Sequence, residues 1–197
     1  MPTTLHHNPA APNKKSRGGM RAAAAACKAF RHFRGDMRLL VISDSHGNYA
    51  HAFMAHQLAG PVDHIVHLGD GSEDARLLEE VLEVPVHRVA GNCDQDRRLP
   101  TELTLELGGC RIFVTHGNRY QVKSGLQLLI SKGIEVGATV VLYGHTHLPD
   151  VFATDGILLV NPGTLMKGAQ GSYAIVTLKG ETASAEICFL QQPQPQL

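Results

Sequence analysis

Seven side chains that bind divalent cations well each follow a short apolar run of the chain. Asp44 and His46 stand in Val-Ile-Ser-Asp-Ser-His-Gly, Asp70 in His-Leu-Gly-Asp-Gly, and Asn92 in Val-Ala-Gly-Asn-Cys-Asp. His116 stands in Phe-Val-Thr-His-Gly, and His145 and His147 share Leu-Tyr-Gly-His-Thr-His. Oxygen and imidazole donors without a thiolate pair suit Mn2+, Fe2+ or Zn2+, and imidazoles also accept Ni2+. Two such ions sharing one bridging carboxylate are a known device for breaking phosphate esters. The apolar runs read as strands. In an open α/β sheet the carboxyl ends of strands border one crevice, so groups distant in sequence can meet there.

Each motif also has a plainer reading. Residues two apart in extended backbone project to one side, so Asp44 and His46 can hold one ion together; an Asp at a strand–helix junction also caps helices. Asp70 between glycines is what a tight turn uses, yet its two oxygens could bridge two ions. Asn92 tolerates turn backbone, while its amide oxygen can ligate a metal and its NH2 group can donate to a phosphate oxygen, a catalytic role. Cys93 is a weak donor or acid beside a dication, or a small buried side chain. Asp94 orients its neighbours or caps the next turn. Gly-His-Thr-His, with two imidazoles after a strand and a glycine, is the most specific piece. Asn161-Pro162-Gly163-Thr164 reads first as a turn, and Asn161 can also help hold the histidine loops. His51, His56, His64, His67 and His87 default to structural roles.

The elements that must position these groups follow from hydrophobic period and punctuation. A continuous apolar run predicts a strand over 38–43, buried on both faces, and further strands are predicted over 64–68 and 86–90. Helix-spaced residues predict helices over 49–58, stopped by Gly60-Pro61, and over 72–82, with Ser72 as cap and acids in the first turn. This alternation calls for a parallel sheet. A hairpin over 102–107 and 110–115 follows, then a helix over 124–132 and strands over 139–143, 151–153 and 157–160. Strands over 172–178 and 184–190 end the pattern. Two packed mixed sheets with helices outside result, an α/β/β/α sandwich.

Composition is that of an ordinary globular domain, 43% hydrophobic and 18% charged. The zero net charge is unevenly spread: residues 1–36 hold seven Lys or Arg against one acid (+6), leaving eleven against seventeen (−6) for 37–197. An acidic domain suits cations and argues against a stable nucleic-acid partner. Cys27, Cys93, Cys110 and Cys188 form no CxxC pair, which fits a reducing, cytoplasmic setting. No run approaches the roughly 20 apolar residues of a membrane span. Three regions are expected: a basic extension over 1–36, unstructured to 19 with an alanine-rich helix over 20–33; a folded domain over 37–190; and a frayed tail over 191–197. The extension shares its basic, acid-poor character with transit peptides but has little serine. A flexible tail, or a start upstream of a natural one at Met37, is preferred.

In series, Asp-x-His, Gly-Asp, Gly-Asn-x-Asp, His-Gly and Gly-His-Thr-His resemble the motifs of the calcineurin-like metallophosphoesterase superfamily. The compact length, Gly-Asn-Cys-Asp and Asn-Pro-Gly-Thr look most like its small YfcE-like phosphodiesterase branch. The resemblance runs from Met37 to about Leu190. It implies an α/β/β/α sandwich with two divalent ions, Mn2+ foremost. Asp44, His46, Asp70 and His147 would hold the first ion, and Asp70, Asn92, His116 and His145 the second, with Asp70 bridging. The implied activity is hydrolysis of a small phosphodiester by a metal-activated hydroxide. Many members have His where this chain has Cys93, to assist the leaving group, so good leaving groups such as aryl alcohols are favoured here. Competing readings are a nucleotide or dinucleotide phosphatase, a metal sensor or store, and a protein-interaction scaffold like the retromer subunit that resembles this fold. The scaffold predicts missing ligands, and the full set here favours the hydrolase. Arg97, Arg98, Arg119 and Lys123 are read as solvated in preference to meeting a second phosphate. Self-association into a homo-oligomer is left open.

Overall fold

Strand β1 (Met37–Ile42) is apolar apart from Arg38 because both its faces are covered. Leu39 and Val41 point into one apolar cluster, while Leu40 and Ile42 point into another. The two-residue side-chain period of a strand makes that division. The structure, a computed structural model, describes residues 35–190. The expected helix over 20–33, the unstructured stretch before it and the tail over 191–197 lie outside the described residues.

After β1 come α1 (Tyr49–Ala59), β2 (His64–His67), α2 (Ser72–Val81) and β3 (Val86–Arg88). The hairpin β4 (Glu102–Leu107) and β5 (Cys110–Thr115) follows, then a 3-10 turn (Asn118–Tyr120), α3 (Gln127–Glu135) and β6 (Val140–Leu142). Strands β7 (Asp150–Thr154), β8 (Ile157–Asn161), β9 (Ser172–Lys179) and β10 (Thr182–Phe189) complete the order. One five-stranded sheet runs β10-β9-β1-β2-β3 and the other β4-β5-β6-β8-β7. Both are mixed: β1, β2 and β3 are parallel, as are β5, β6 and β8, with antiparallel partners outside them. The fold is the expected α/β/β/α sandwich.

Three apolar layers hold it. Between the sheets, Leu39, Val66, Ile112, Val140 and Val176 pack in the central cluster. Outside the first sheet, Ala52, Ala55 and Ala59 let α1 lie close against Leu40, Ile42 and Ile65. Outside the second, Leu129 of α3 packs with Phe113, Val141 and Leu159. Each fully buried Leu, Ile or Phe contributes about 1.5–3 kcal/mol relative to exposure.

Most predicted boundaries lie within two residues of the observed ones. Helix α3 is the exception, starting at Gln127 rather than 124 and running through Gly133 to Glu135. Gly125 has φ 150°, which no helix residue adopts, so the helix cannot begin before it. Gly133 lies within the helix, and a Cβ there would stand 2.9 Å from Val141 Cγ2; the missing side chain lets α3 approach the sheet.

Candidate active site

The parallel strands of both sheets release their chains at one rim. From the first sheet, β1 leads to Asp44 and His46, β2 to Asp70, and β3 to Asn92. From the second, β5 leads to His116, and β6 to His145 and His147. Backbone bonds tie the neighbouring loops: Asp44 N–H donates to Gly69 O at 3.0 Å, His46 N–H to Asp70 O at 2.9 Å, and Gly144 N–H to His116 O at 3.0 Å.

Two of the donor clusters formed there draw on both sheets. Asp44, His46 and His147 make one, and Asp70, His116 and His145 the other, with the ligand atoms of each within 4.8 Å of one another. Asp70 Oδ2 faces both, 4.0 Å from His46 Nε2 and 3.5 Å from His116 Nε2. Extended backbone is not what makes Asp44 meet His46. Both residues have left-handed φ, 53° and 46°, as do Asp70 (54°), His145 (69°) and His147 (62°). Such backbone costs on the order of 1–3 kcal/mol per non-glycine residue and concentrates at functional sites.

The carboxylate and imidazole atoms of these clusters face one another. Asp44 Oδ2 accepts from Ser43 Oγ at 2.5 Å and from His145 N–H at 3.1 Å. Its Oδ1 is fully buried with no hydrogen-bond partner, although His147 Nε2 stands 3.1 Å away. A buried carboxylate oxygen left unpaired costs several kcal/mol, and a cation removes that cost. His116 Nδ1 donates to Leu68 O at 2.9 Å, which leaves the lone pair on Nε2. That lone pair meets His145 Nδ1 at 3.2 Å and Asp70 Oδ2 at 3.5 Å. Burial lowers the His116 pKa, but the hydrogen bond that the protonated ring makes to Asp70 and the charge of Asp44 outweigh it and raise the pKa. Burial and the neighbouring His116 lower that of His145. For Asp70, burial raises the pKa, and bonds from His116 and the Cys93 N–H overcome it, holding the carboxyl well below its usual range. The arrangement wants positive charge between its members, and the chemistry of the donors fits divalent ions.

The surrounding loops are pinned by polar side chains. Asp94 Oδ2 accepts from the N–H groups of Asp70 and Gly91, each at 2.8 Å, and Oδ1 from those of Gly71 (3.1 Å) and Ser72 (2.8 Å). It therefore caps the preceding helix α2, not the next turn. Gly91 has no side chain because a Cβ there would sit 2.1 Å from Asp70 Oδ1. Asn161 is buried, and its Nδ2 donates to Gly144 O at 3.1 Å and Thr146 Oγ1 at 3.0 Å, bracing the Gly-His-Thr-His loop. Thr164 Oγ1 donates to Asp44 O at 2.8 Å. Asn92 is exposed at the rim, where its Nδ2 donates to Cys93 Sγ at 3.3 Å. Cys93 is exposed too, so the buried-side-chain reading of it fails. Its Sγ lies within 4.8 Å of the ligand atoms of His46 and Asp70. Ser43, Ser45, His67 and Asp74 also support the site and carry no signal beyond ordinary turn and strand residues.

Residues 37–181 match the family model described as Calcineurin-like phosphoesterase superfamily domain. The chain belongs to that superfamily. It is 35% identical over 152 residues to the probable metallophosphoesterase YsnB of Bacillus subtilis, covering 75% of this chain and 88% of the relative. It is 26% identical over 144 residues to the phosphodiesterase MJ0936 of Methanocaldococcus jannaschii, covering 64% and 83%. Among solved structures, a predicted phosphoesterase of Streptococcus pneumoniae superposes with a TM-score of 0.68 at 28% identity, covering 79% of this chain and 90% of that one. Vps29 of Entamoeba histolytica shares the fold alone, with a TM-score of 0.62 at 19% identity, covering 79% and 100%. As a calcineurin-like phosphoesterase the chain is placed among hydrolases of phosphate esters that employ divalent metal ions. No helix among the described residues is long and apolar enough to cross a membrane.

Proposed function

We propose that this calcineurin-like phosphoesterase hydrolyses a small phosphodiester with two divalent ions, Mn2+ foremost, in the cytoplasm. Asp44, His46, Asp70 and His147 hold one ion; Asp70, Asn92, His116 and His145 hold the other. The observation that carries this reading is the buried, unpartnered Asp44 Oδ1 facing His147 Nε2 at 3.1 Å, with Asp70 Oδ2, His116 Nε2 and His145 Nδ1 gathered beside it. Bound divalent ions supply a water of lowered pKa and neutralise phosphate oxygens.

The side chains do the rest. Asp70 offers its Oδ2 to both clusters and anchors its other oxygen on the Cys93 N–H at 2.7 Å. His116 keeps its proton on Nδ1 through Leu68 O, so Nε2 stays a donor of electrons. Asn92, on the rim, is placed to donate an amide hydrogen to a phosphate oxygen, an interaction that accelerates reaction if it strengthens in the transition state.

The adjoining cleft, about 370 Å³, supports a diester rather than a polyphosphate. It is bordered by His46, Asp70, Asp74, Cys93, Asp94 and Asp96, and none of the described residues lining it is Lys or Arg. Arg98 is drawn to Asp96 at 2.9 Å, and Arg119 to Thr101 Oγ1 at 2.8 Å. A monoanionic diester with a neutral leaving group meets least repulsion there.

The test is to strip the protein with a chelator, restore Mn2+, and compare bis(p-nitrophenyl) phosphate with p-nitrophenyl phosphate and nucleoside triphosphates. Diester turnover that needs two ions and falls at least ~100-fold in Asp70→Asn is expected. Equal turnover of Asp70→Asn, with its circular dichroism unchanged, would sink the reading.

A further inference from the structure

Outside the donor clusters, one buried chain of hydrogen bonds joins two of the loops that carry them. His67 on β2 and Ser45 have no exposure, and Asp74 in the first turn of α2 has 3%. Gly69 N–H donates to His67 Nδ1 at 3.2 Å, which sets the proton on Nε2. His67 Nε2 donates to Ser45 Oγ at 3.0 Å, and Ser45 Oγ donates to Asp74 Oδ2 at 2.6 Å. The same carboxylate oxygen accepts from Gly47 N–H at 2.9 Å. The chain thus starts at the residue before Asp70 and ends on both residues flanking His46.

That placement has a mechanical consequence. Asp44 and His46 hold left-handed backbone, which persists only when its surroundings over-determine it. Asp74 grips the turn on either side of His46, and Ser45, between the two left-handed residues, has its hydroxyl direction fixed from both ends. The space is closed as well. A Cβ on Gly71 would stand 2.0 Å from Ser45 Oγ and 3.1 Å from the His67 ring. None of the three side chains belongs to the donor clusters, and Ser45 and His67 have no surface open to a substrate.

We propose that His67, Ser45 and Asp74 are positioning residues that fix the separation of His46 from Asp70, and so enable the site to hold two ions at once. This rests on the dinuclear reading above. The network reaches the Asp44–His46–His147 cluster directly. It touches the other cluster only through the Gly69 N–H.

The experiment titrates the full, metal-stripped chain with Mn2+ and follows free Mn2+ by electron paramagnetic resonance, alongside circular dichroism. The variants are Ser45→Ala, Asp74→Asn, His67→Leu and His67→Gln. Wild type is expected to bind two ions. Ser45→Ala, Asp74→Asn and His67→Leu should weaken one of them by about 10–100-fold, the range for lost outer hydrogen bonds to a metal site, and leave the other within about threefold. His67→Gln, whose amide can restore the donor to Ser45, should recover most of the loss. Variants that bind both ions with wild-type affinity, or that weaken both equally with loss of helical signal, would overturn the inference. A wild type that binds fewer than two ions would overturn the dinuclear reading, and this inference with it.

Discussion

Asp94 Oδ2 accepts the backbone N–H of Asp70 at 2.8 Å, so a carboxylate outside both donor clusters sets where the one facing both of them stands. Replacing Asp94 by Ala leaves the N–H groups of Asp70, Gly71, Ser72 and Gly91 without this acceptor. A loss of about 3 kcal/mol is expected in urea unfolding of the metal-free protein, because hydrogen bonds to a charged group are worth ~1.5–3 kcal/mol each and water replaces some of them. Burial raises the Asp94 pKa, but the Ser72, Gly91 and Asp70 N–H groups prevail and lower it. Its contribution is therefore complete above the ordinary carboxylate pKa of about 4 and disappears as pH falls through the depressed folded value. Asp94→Asn should lack that acid-side decline.

Asp44→Asn should lower stability with metal but not without it. Stripped of ions, wild type keeps a buried carboxylate oxygen with no hydrogen-bond partner, so neutralising it should leave the melting temperature unchanged or raise it. With Mn2+ at about 100 times its Kd, wild type gains roughly 2.7 kcal/mol from binding, and the variant should forfeit much of this. Differential scanning fluorimetry in chelator and in Mn2+ checks both signs. A variant destabilised equally in the two conditions contradicts the expectation.

His67 makes the metal-free protein acid-sensitive. Burial lowers its pKa to about 4, with Asp94, Asp74 and Asp44 opposing. Unfolded, the ring titrates near 6.5, so the unfolded state takes up its proton first. Stability from this group is full above pH ~6.5 and declines toward pH ~4, by on the order of 3 kcal/mol. Urea midpoints across that range should fall steeply in wild type and less so in His67→Gln.

The Cys93 thiol is exposed, yet it should alkylate slowly at neutral pH. Its hydrogen bond to Asp70, then burial and the charge of Asp70, raise its pKa above the ordinary thiol value. Mass spectrometry of iodoacetamide labelling in the metal-free chain should show the Cys93 rate still climbing above pH 9. Asp70→Asn should bring that rise to lower pH. Turnover of an aryl diester should change less than about threefold in Cys93→Ser, because a good leaving group needs no proton donor.

The sequence revealed where chemistry sits more readily than how it is supported. Asp44, Asp70, His116 and His145 are visible because each follows a buried run whose end must reach a shared rim. The reason Asp44 and His46 converge was not visible: extended alternation predicts it, but left-handed turns produce it. Asp74 looked like any first-turn acid and His67 like a satisfied strand histidine. Their partnership through Ser45 joins residues 22 and 29 apart, a contact no local pattern encodes. Helix α3 was displaced for a related reason. Gly133 has poor helix propensity, but the close packing of α3 on the sheet leaves no room there for a Cβ, which would stand 2.9 Å from Val141 Cγ2.

Each donor cluster joins the two sheets: Asp44 and His46 from the first meet His147 from the second, and Asp70 from the first meets His116 and His145 from the second. Ions seated there would act as rivets as well as reagents, fastening the open end of a sandwich otherwise closed by apolar contact. Loading should slow amide exchange at the ends of β2 and β6 together, two strands that share no ladder. A chelator, on the same logic, would unzip the seam before it melted either sheet.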